Sequence, residues 1–290
     1  MVLNNYVSVF FFLARGIGQV MFQNNALSGL LMLIGIACNS WLLAVLAVVG
    51  NLISTLTAWL LGYDRQEIED GLYGFNGTLV GIAVGVFMPV TVSSVLLLLF
   101  GSVLSTWIAH GFNCRNKIPG FTAPFILSVW LLLVGCRFLF PSLLFPSAAS
   151  DAESHADLFR AFSLNVGQVM FQGGTVLSGL FFLAAICVNS RWDALYTVWG
   201  ALLPIGIVLP FWTDYEVLNA GLLGYNGVLC GIALGRNNWQ SAGWATIAIL
   251  LSVLLQIAGM KAGLTTLTAP FVLSVWIVLG MMHIRKVSIK

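Results

Sequence analysis

The sequence predicts an all-α polytopic membrane protein made of two inverted repeats, each with about five transmembrane helices and one re-entrant half-helix. Hydrophobic residues make up 59% of the 290 residues and charged residues only 8%, whereas soluble domains carry about 25% charged residues. Apolar runs of about 20 residues, the length that crosses the hydrocarbon core of a bilayer, occur in both halves. Motifs in the first half return about 150 residues later. A duplicated half with polar, glycine and proline interruptions at matching places is typical of transporters and channels.

Three duplicated motifs carry the repeat. Residues 18–23 read Gly-Gln-Val-Met-Phe-Gln, and the same six residues return at 167–172. Residues 71–77 read Gly-Leu-Tyr-Gly-Phe-Asn-Gly and return at 221–227 as Gly-Leu-Leu-Gly-Tyr-Asn-Gly. Thr-Ala-Pro-Phe stands at 122–125 and again at 268–271.

A polar segment separates the two copies. Residues 141–157 are rich in Pro and Ser and contain three carboxylates, a composition that is typical of a loop rather than of a buried helix. The sequence therefore predicts a first membrane repeat at residues 1–140, a linker at 141–157 and a second membrane repeat at 158–290.

Each repeat is predicted to contain six apolar segments. Those of the first repeat are residues 5–17, 26–38, 40–61, 71–88, 89–109 and 118–140. Those of the second are residues 156–166, 175–187, 192–211, 221–234, 239–259 and 264–284. The first segment of each repeat is short and ends in the Gly-Gln motif, so we interpret it as a re-entrant half-helix. Such a helix is tolerated at membrane depth only where its loose backbone faces protein or a water-filled path.

The number of crossings predicts the orientation of the repeats. Five crossings per repeat is odd, so the second repeat must enter the membrane from the opposite side, which gives an inverted repeat. Ten crossings place both termini on one side, and the basic residues Arg285, Lys286 and Lys290 favour the cytoplasm for that side. The compact chain without long tails indicates a bacterial inner membrane protein.

The positions of the charges argue against several functional classes. All ten carboxylates lie in the polar stretches 64–70, 151–157 and 214–216 or at Asp193, and none is central in a predicted membrane segment. Proton- or sodium-coupled transporters usually need an ionisable group inside the membrane, so passive movement of a neutral solute is favoured. The three histidines show no metal-ligand spacing, and we expect no metal, no cofactor and no enzymatic activity. The net charge of +2 gives no sign of nucleic-acid binding.

The third motif resembles a known signature. Residues 118–125 (Ile-Pro-Gly-Phe-Thr-Ala-Pro-Phe) are similar to the Leu-Pro-x-x-Thr-x-Pro-Phe signature of the urea transporter family, and residues 264–271 are similar to its second copy. Ile118 and Thr265 depart from that pattern. The resemblance covers essentially the whole chain. It implies a channel-like homotrimer in the lipid bilayer, in which each protomer carries urea passively through its own pore between the two repeats.

Urea is small, planar and neutral, with four N–H donors and one carbonyl acceptor. Leaving water costs it several kcal/mol unless its hydrogen bonds are replaced, and replacement requires a row of acceptors rather than a charge. The candidates are the side chains of Gln19, Gln168, Thr122 and Thr268 and the carbonyls near Val20 and Val169. The alternative for each glutamine is a hydrogen bond between helices, and for each threonine a bond to the preceding helical turn.

The resemblance also implies two aromatic slots that select a planar solute by shape. Phe22 with Phe75 would form one slot, Phe171 with Tyr225 would form the other, and Leu79 and Leu229 would line the narrow region between them. Packing inside the bundle is the ordinary alternative for these side chains. The hydroxyl of Tyr225 would either narrow its slot or add a hydrogen bond.

Two other functions remain compatible with the sequence. One is a channel for another small neutral solute, such as a short amide, ammonia or water. The other is a membrane receptor or scaffold without transport, which is disfavoured because the chain has no sizeable polar domain to relay a signal.

Overall fold

A computed structural model of the chain describes residues 2–115, 118–146, 153–211 and 214–288. The described residues are helical or irregular, without strands. The chain divides into two compact units, Met1–Ala149 and Ser150–Lys290. Part of the predicted linker, including Asp151, lies outside the described residues, as do Lys290 and the side chains of Arg285 and Lys286 on which the predicted side of the termini depends.

The first unit contains seven α-helices in the described residues. They are α1 (Val2–Gln19), α2 (Ala26–Asn39), α3 (Trp41–Leu60), α4 (Arg65–Glu69), α5 (Gly74–Phe87), α6 (Val92–Arg115) and α7 (Ala123–Leu139), followed by a 3-10 turn at Pro141–Leu143.

The second unit contains the same order of helices in its described residues. They are α8 (Leu158–Gly167), α9 (Val176–Asn189), α10 (Arg191–Val208), α11 (Tyr215–Asn219), α12 (Tyr225–Leu234), α13 (Trp239–Lys261) and α14 (Ala269–Ser288), with a 3-10 turn at Gln168–Met170 directly after α8.

The short helices α4 and α11 differ from the sequence expectation, which treated their residues as polar loops. Each begins at an aspartate whose side chain accepts a hydrogen bond from a first-turn amide: Asp64 from the N–H of Glu67 at 3.0 Å, and Asp214 from the N–H of Val217 at 3.2 Å. Aspartate is among the best residues at this position because it satisfies an amide that has no partner within the helix. These aspartates are therefore helix caps.

The lengths of the helices are consistent with a polytopic membrane protein. Three described helices, α3, α6 and α13, are both long and apolar enough to cross a bilayer. Several others are shorter, such as α2 and α5 with 14 residues each. Helix α1 has 18 residues, so it is longer than the predicted run of residues 5–17, whereas α8 has only 10. Large apolar side chains on the helix surfaces, such as Trp41 and Phe138, are exposed, as lipid-facing residues are.

Glycines let α5 lie directly against α3 in the first unit. A Cβ atom on Gly50 would lie 2.1 Å from the carbonyl oxygen of Gly77, and one on Gly81 would lie 2.0 Å from that of Leu46. The second unit repeats this contact between α10 and α12, where a Cβ on Gly200 would lie 2.5 Å from the carbonyl oxygen of Gly227. Small residues at such crossings allow close backbone approach in membrane helices. This packing fixes the position of α5, which carries two of the site residues described below.

Candidate functional site

The first duplicated motif ends helix α1 in the first unit. The N–H of Gln23 donates to the carbonyl of Gly18 at 3.0 Å, and Phe22 adopts a left-handed conformation with φ of 61°. This is the usual way to stop a helix, but glycine normally takes the left-handed position. A Cβ on Gly18 would lie 2.4 Å from the Gln23 carbonyl oxygen, which explains the glycine there. Phe171 takes the same conformation in the second unit, with φ of 61°.

A phenylalanine in the left-handed region costs about 1–2 kcal/mol. Such strain in a bulky residue persists only where the surrounding structure fixes it, and it concentrates at functional positions. In both units, the glutamine that follows the phenylalanine braces the turn: Gln23 Nε2 donates to the carbonyl of Met21 and Gln172 Nε2 to that of Met170. Each turn therefore holds an aromatic ring directly after a helix end.

The glutamines of the motif are held by a matching hydrogen bond in each unit. Gln19 Nε2 donates to the carbonyl of Asp70, and Gln168 Nε2 donates to that of Ala220, both at 2.9 Å. This is the structural role that the sequence left open as an alternative. It also turns each Oε1 away from that carbonyl, and no donor among the described residues pairs with either Oε1. The carbonyls of Val20 and Val169 likewise have no donor among the described residues.

Asn76 on α5 caps helix α7. Its Oδ1 accepts a hydrogen bond from the N–H of Phe125 at 3.1 Å, and Asn226 does the same for Phe271 at 3.1 Å in the second unit. Pro124 lies in the first turn of α7, where its missing N–H would have had no partner within the helix. The hydrogen bonds identify both asparagines as helix caps.

A cavity of about 190 Å³ lies in the first unit. Its walls combine side chains from the end of α1, from α5 and α6, and from the segment before α7. They are Gln19, Phe22, Leu72, Phe75, Asn76, Ala109, Phe112, Asn113, Pro119, Gly120, Phe121 and Pro124. The cavity thus brings together three of the predicted site residues, namely Gln19, Phe22 and Phe75.

Aromatic rings form much of the cavity wall. Phe22 packs edge to face against Phe121, with ring centroids 5.9 Å apart and ring planes at 81°. Phe75 and Phe112 line the same space and are half-buried. The sequence predicted the pairing of Phe22 with Phe75 but not the contribution of Phe112 and Phe121. For Phe121, the sequence did offer a signal, because this residue stands directly before the signature threonine.

The polar side of the wall is tied to a carboxylate of helix α4. Asn113 Nδ2 donates to Glu67 Oε2 at 3.0 Å, and the hydroxyl of Tyr73 donates to the same oxygen at 2.6 Å. The orientation of Asn113 at the cavity is fixed by these contacts.

The remaining predicted site residues are buried. Leu79 and Leu229 are fully buried on α5 and α12, and Val20 and Val169 are buried at the helix-ending turns. Thr122 and Thr268 are 2% and 3% exposed, directly before α7 and α14. Thr122 does not cap α7 with its side chain.

Tyr225 in the second unit uses its hydroxyl for hydrogen bonds, which answers the question its sequence position raised. The hydroxyl donates to the carbonyl of Leu267 at 2.5 Å and lies 3.3 Å from Thr266 Oγ1 and 3.4 Å from Gln256 Oε1. Gln256 Oε1 also accepts from Asn226 Nδ2 at 3.2 Å.

The Tyr225 cluster, defined as Tyr225, Asn226, Gln256 and Thr266, occupies the part of the second unit that corresponds to the cavity wall of the first. Gln256 lies outside the duplicated motifs, and Thr266 stands at an unspecified position of the signature copy at 264–271, so neither was predicted.

Within the described residues, no group of three or more His, Cys, Asp or Glu side chains is arranged to hold a metal ion. The arrangement that the first unit offers is instead a small cavity with aromatic walls, an unpaired amide oxygen on Gln19 and an unpaired amide nitrogen on Asn76. Such a site suits a small, planar, neutral molecule that carries both donors and an acceptor.

Comparison with known proteins agrees with this chemistry. The model of the urea transporter family matches residues 11–283. Urea transporter 1 of Rattus norvegicus is 33% identical over 275 residues, which cover 88% of this chain and 70% of the rat protein. Urea transporter 1 of Ovis aries is 32% identical over 289 residues, which cover 90% of this chain and 73% of the sheep protein. The prediction of a transporter rather than an enzyme is confirmed by this match. The chain belongs to the urea transporter family.

Proposed function

We propose that the protein moves urea across a lipid bilayer, passively and in the manner of a channel. The observation that carries the proposal is the family match over residues 11–283, nearly the whole chain. The relatives named above are urea transporters by name, and the family match spans the duplicated motifs that contain the candidate site residues.

The first-unit cavity supports urea as the solute. An apolar cavity of about 150 Å³ can accommodate benzene, so a cavity of about 190 Å³ has room for the smaller urea molecule. The unpaired Oε1 of Gln19 offers an acceptor for an N–H of urea. The rings of Phe22 and Phe75 offer flat apolar surfaces to its faces.

The distribution of charge supports passive movement. The three helices that are long and apolar enough to cross a bilayer, α3, α6 and α13, contain no Asp or Glu. A coupling ion such as H⁺ usually needs an ionisable group at membrane depth. The proposed driving force is therefore the urea gradient alone.

Urea flux into proteoliposomes tests the proposal directly. We expect flux well above that of empty vesicles, and the same rate with and without an imposed sodium or proton gradient. Flux equal to that of empty vesicles would refute urea transport, and a requirement for either ion gradient would refute the passive mechanism. Water and ammonia permeabilities measured in the same vesicles rank the alternative solutes.

The inverted orientation of the repeats, the re-entrant helices, the homotrimer, the cytoplasmic termini and the bacterial inner membrane are predictions from the sequence. We retain them as part of the proposal.

A further inference from the structure

The two units carry different residues at a matched position of α6 and α13. Hydrogen bonds within each helix show which residues correspond. Ser105 Oγ donates to the carbonyl of Ser102, and Ser252 Oγ donates to that of Ile249, three residues earlier in each case. Stepping one turn further along each helix leads to Ala109 in the first unit and Gln256 in the second, and both are buried. Ala109 therefore corresponds to Gln256.

Three positions around the first-unit cavity carry larger or more polar residues in the second unit. Phe75 corresponds to Tyr225 and Gly120 to Thr266, by the spacing of the duplicated motifs, and Ala109 corresponds to Gln256. In the first unit, the three smaller residues all line the cavity. In the second, the hydroxyls of Tyr225 and Thr266 are hydrogen-bonded to each other, and Gln256 accepts from Asn226.

This difference leaves one buried amide of the first unit without a hydrogen-bond acceptor. Asn76 and Asn226 use Oδ1 in the same way, as caps of α7 and α14. Asn226 Nδ2 donates to Gln256 Oε1. Asn76 is 1% exposed and its Nδ2 has no partner among the described residues, because alanine replaces the glutamine. A buried donor without an acceptor costs about 1–3 kcal/mol, so its persistence calls for a partner.

The other amides of the cavity wall already donate to the protein. Gln19 Nε2 donates to the Asp70 carbonyl, and Asn113 Nδ2 donates to Glu67. Asn76 is thus the wall amide whose nitrogen donates to no described residue. Urea needs one donor for its carbonyl oxygen in addition to acceptors for its N–H groups.

We propose that Asn76 Nδ2 donates a hydrogen bond to the carbonyl oxygen of urea in the first-unit cavity, and that Ala109 keeps this donor available. The inference rests on the proposed function and adds a specificity-determining residue to it. Gln19 Oε1 accepts from urea while Asn76 donates to it, so the cavity recognises both ends of the solute. In the second unit, the corresponding donor is Asn226 Nδ2, which is already hydrogen-bonded to Gln256.

The test compares urea with thiourea, whose sulfur is a much weaker acceptor than the urea oxygen. Asn76→Asp keeps an oxygen to cap α7, where a negative charge near a helix N-terminus is tolerated, but removes the amide donor. We expect the urea flux of proteoliposomes to fall about three- to tenfold, the range of one hydrogen bond. Thiourea flux should change less, so the ratio of urea to thiourea flux falls.

Asn226→Asp is the matched control, because it makes the same change where Gln256 is the partner. Its flux ratio should stay at the wild-type value. Ala109→Gln is a second variant that leaves Asn76 and its cap unaltered and supplies the acceptor that the second unit already contains. We expect it to lower the flux ratio as well, because the Asn76 donor then pairs with the protein.

Thermal melting of each purified variant identifies those that are folded. A wild-type ratio in folded Asn76→Asp or folded Ala109→Gln overturns the inference, as does an equal loss of urea and thiourea flux in Asn76→Asp, which would indicate a purely structural cap. The absence of urea flux in the wild-type protein would instead refute the proposed function, so the two failures are distinguishable.

Discussion

In Gln19 and Gln168, the two ends of the side-chain amide differ in their hydrogen bonding. The nitrogen of each amide is bound to a backbone carbonyl across a helix–loop contact, while the oxygen has no donor in the described part of the chain. A hydrogen bond at one end of an amide fixes its rotation and therefore the direction of the other end. The direction of these two oxygens is therefore fixed by the protein itself.

Replacing both glutamines by alanine should reduce urea flux at least tenfold, because two oriented acceptors are removed and each neutral hydrogen bond contributes about 1 kcal/mol. The double variant Gln19→Ala/Gln168→Ala is measured in proteoliposomes beside Gln66→Ala, whose amide lies on the surface and contacts Asp70. Unchanged flux in the double variant, with normal oligomeric size, would assign both glutamines to packing alone.

A buried asparagine side chain joins helices α1 and α3 in the first unit. In the second unit, the asparagine that joins the matching helices lies on α8, the counterpart of α1, and not on α10, the counterpart of α3. Asn51 on α3 donates to the carbonyl of Leu13, and a Cβ on Gly16 would lie 2.7 Å from Asn51 Nδ2. In the second unit, Asn165 on α8 donates to the carbonyl of Ala201 on α10. Each pair of helices thus contains one asparagine opposite one small residue. The asparagine lies on α3 in the first unit and on α8 in the second.

Asn51→Ala should lower the free energy of unfolding by about 1–3 kcal/mol, because it leaves buried polar groups unsatisfied. Adding Gly16→Asn should recover part of that loss by copying the arrangement of the second unit. Thermal melting in detergent measures both effects, with Asn24→Ala, an exposed amide bound to Asp70, as the control. No recovery in the double variant would mean that the two helix pairs are not interchangeable in this respect.

The helices were predictable where a motif or an apolar run marked them, and unpredictable where a contact between distant residues decided the outcome. The duplicated Gly-Gln motif located the end of α1 and of α8 within a few residues. The capping aspartate of α4 gave too short a signal to identify a five-residue helix. Ala109 and Phe112 have no local signature, and they line the cavity only because α6 packs beside α5 and the loop before α7. The correspondence between Ala109 and Gln256 could be established only from the hydrogen bonds within α6 and α13.

At the scale of the whole molecule, the family resemblance predicts a homotrimer. Large apolar side chains such as Trp41, Phe138 and Trp239 are exposed on the single chain, as expected if lipid or neighbouring protomers cover them. We expect the detergent-solubilised protein to have a mass three times that of the 31.3 kDa chain, after subtraction of bound detergent. Light scattering coupled to size-exclusion chromatography makes this measurement, and a stable monomer would contradict the prediction.

The divergence of the two cavity regions has a consequence for pharmacology. A blocker shaped to fill the space beside Phe75, Ala109 and Gly120 would meet the hydroxyl of Tyr225 and the side chains of Gln256 and Thr266 at the corresponding place in the second unit. Although the chain is a duplication, we therefore expect such a compound to bind once per polypeptide, in the first unit, rather than twice.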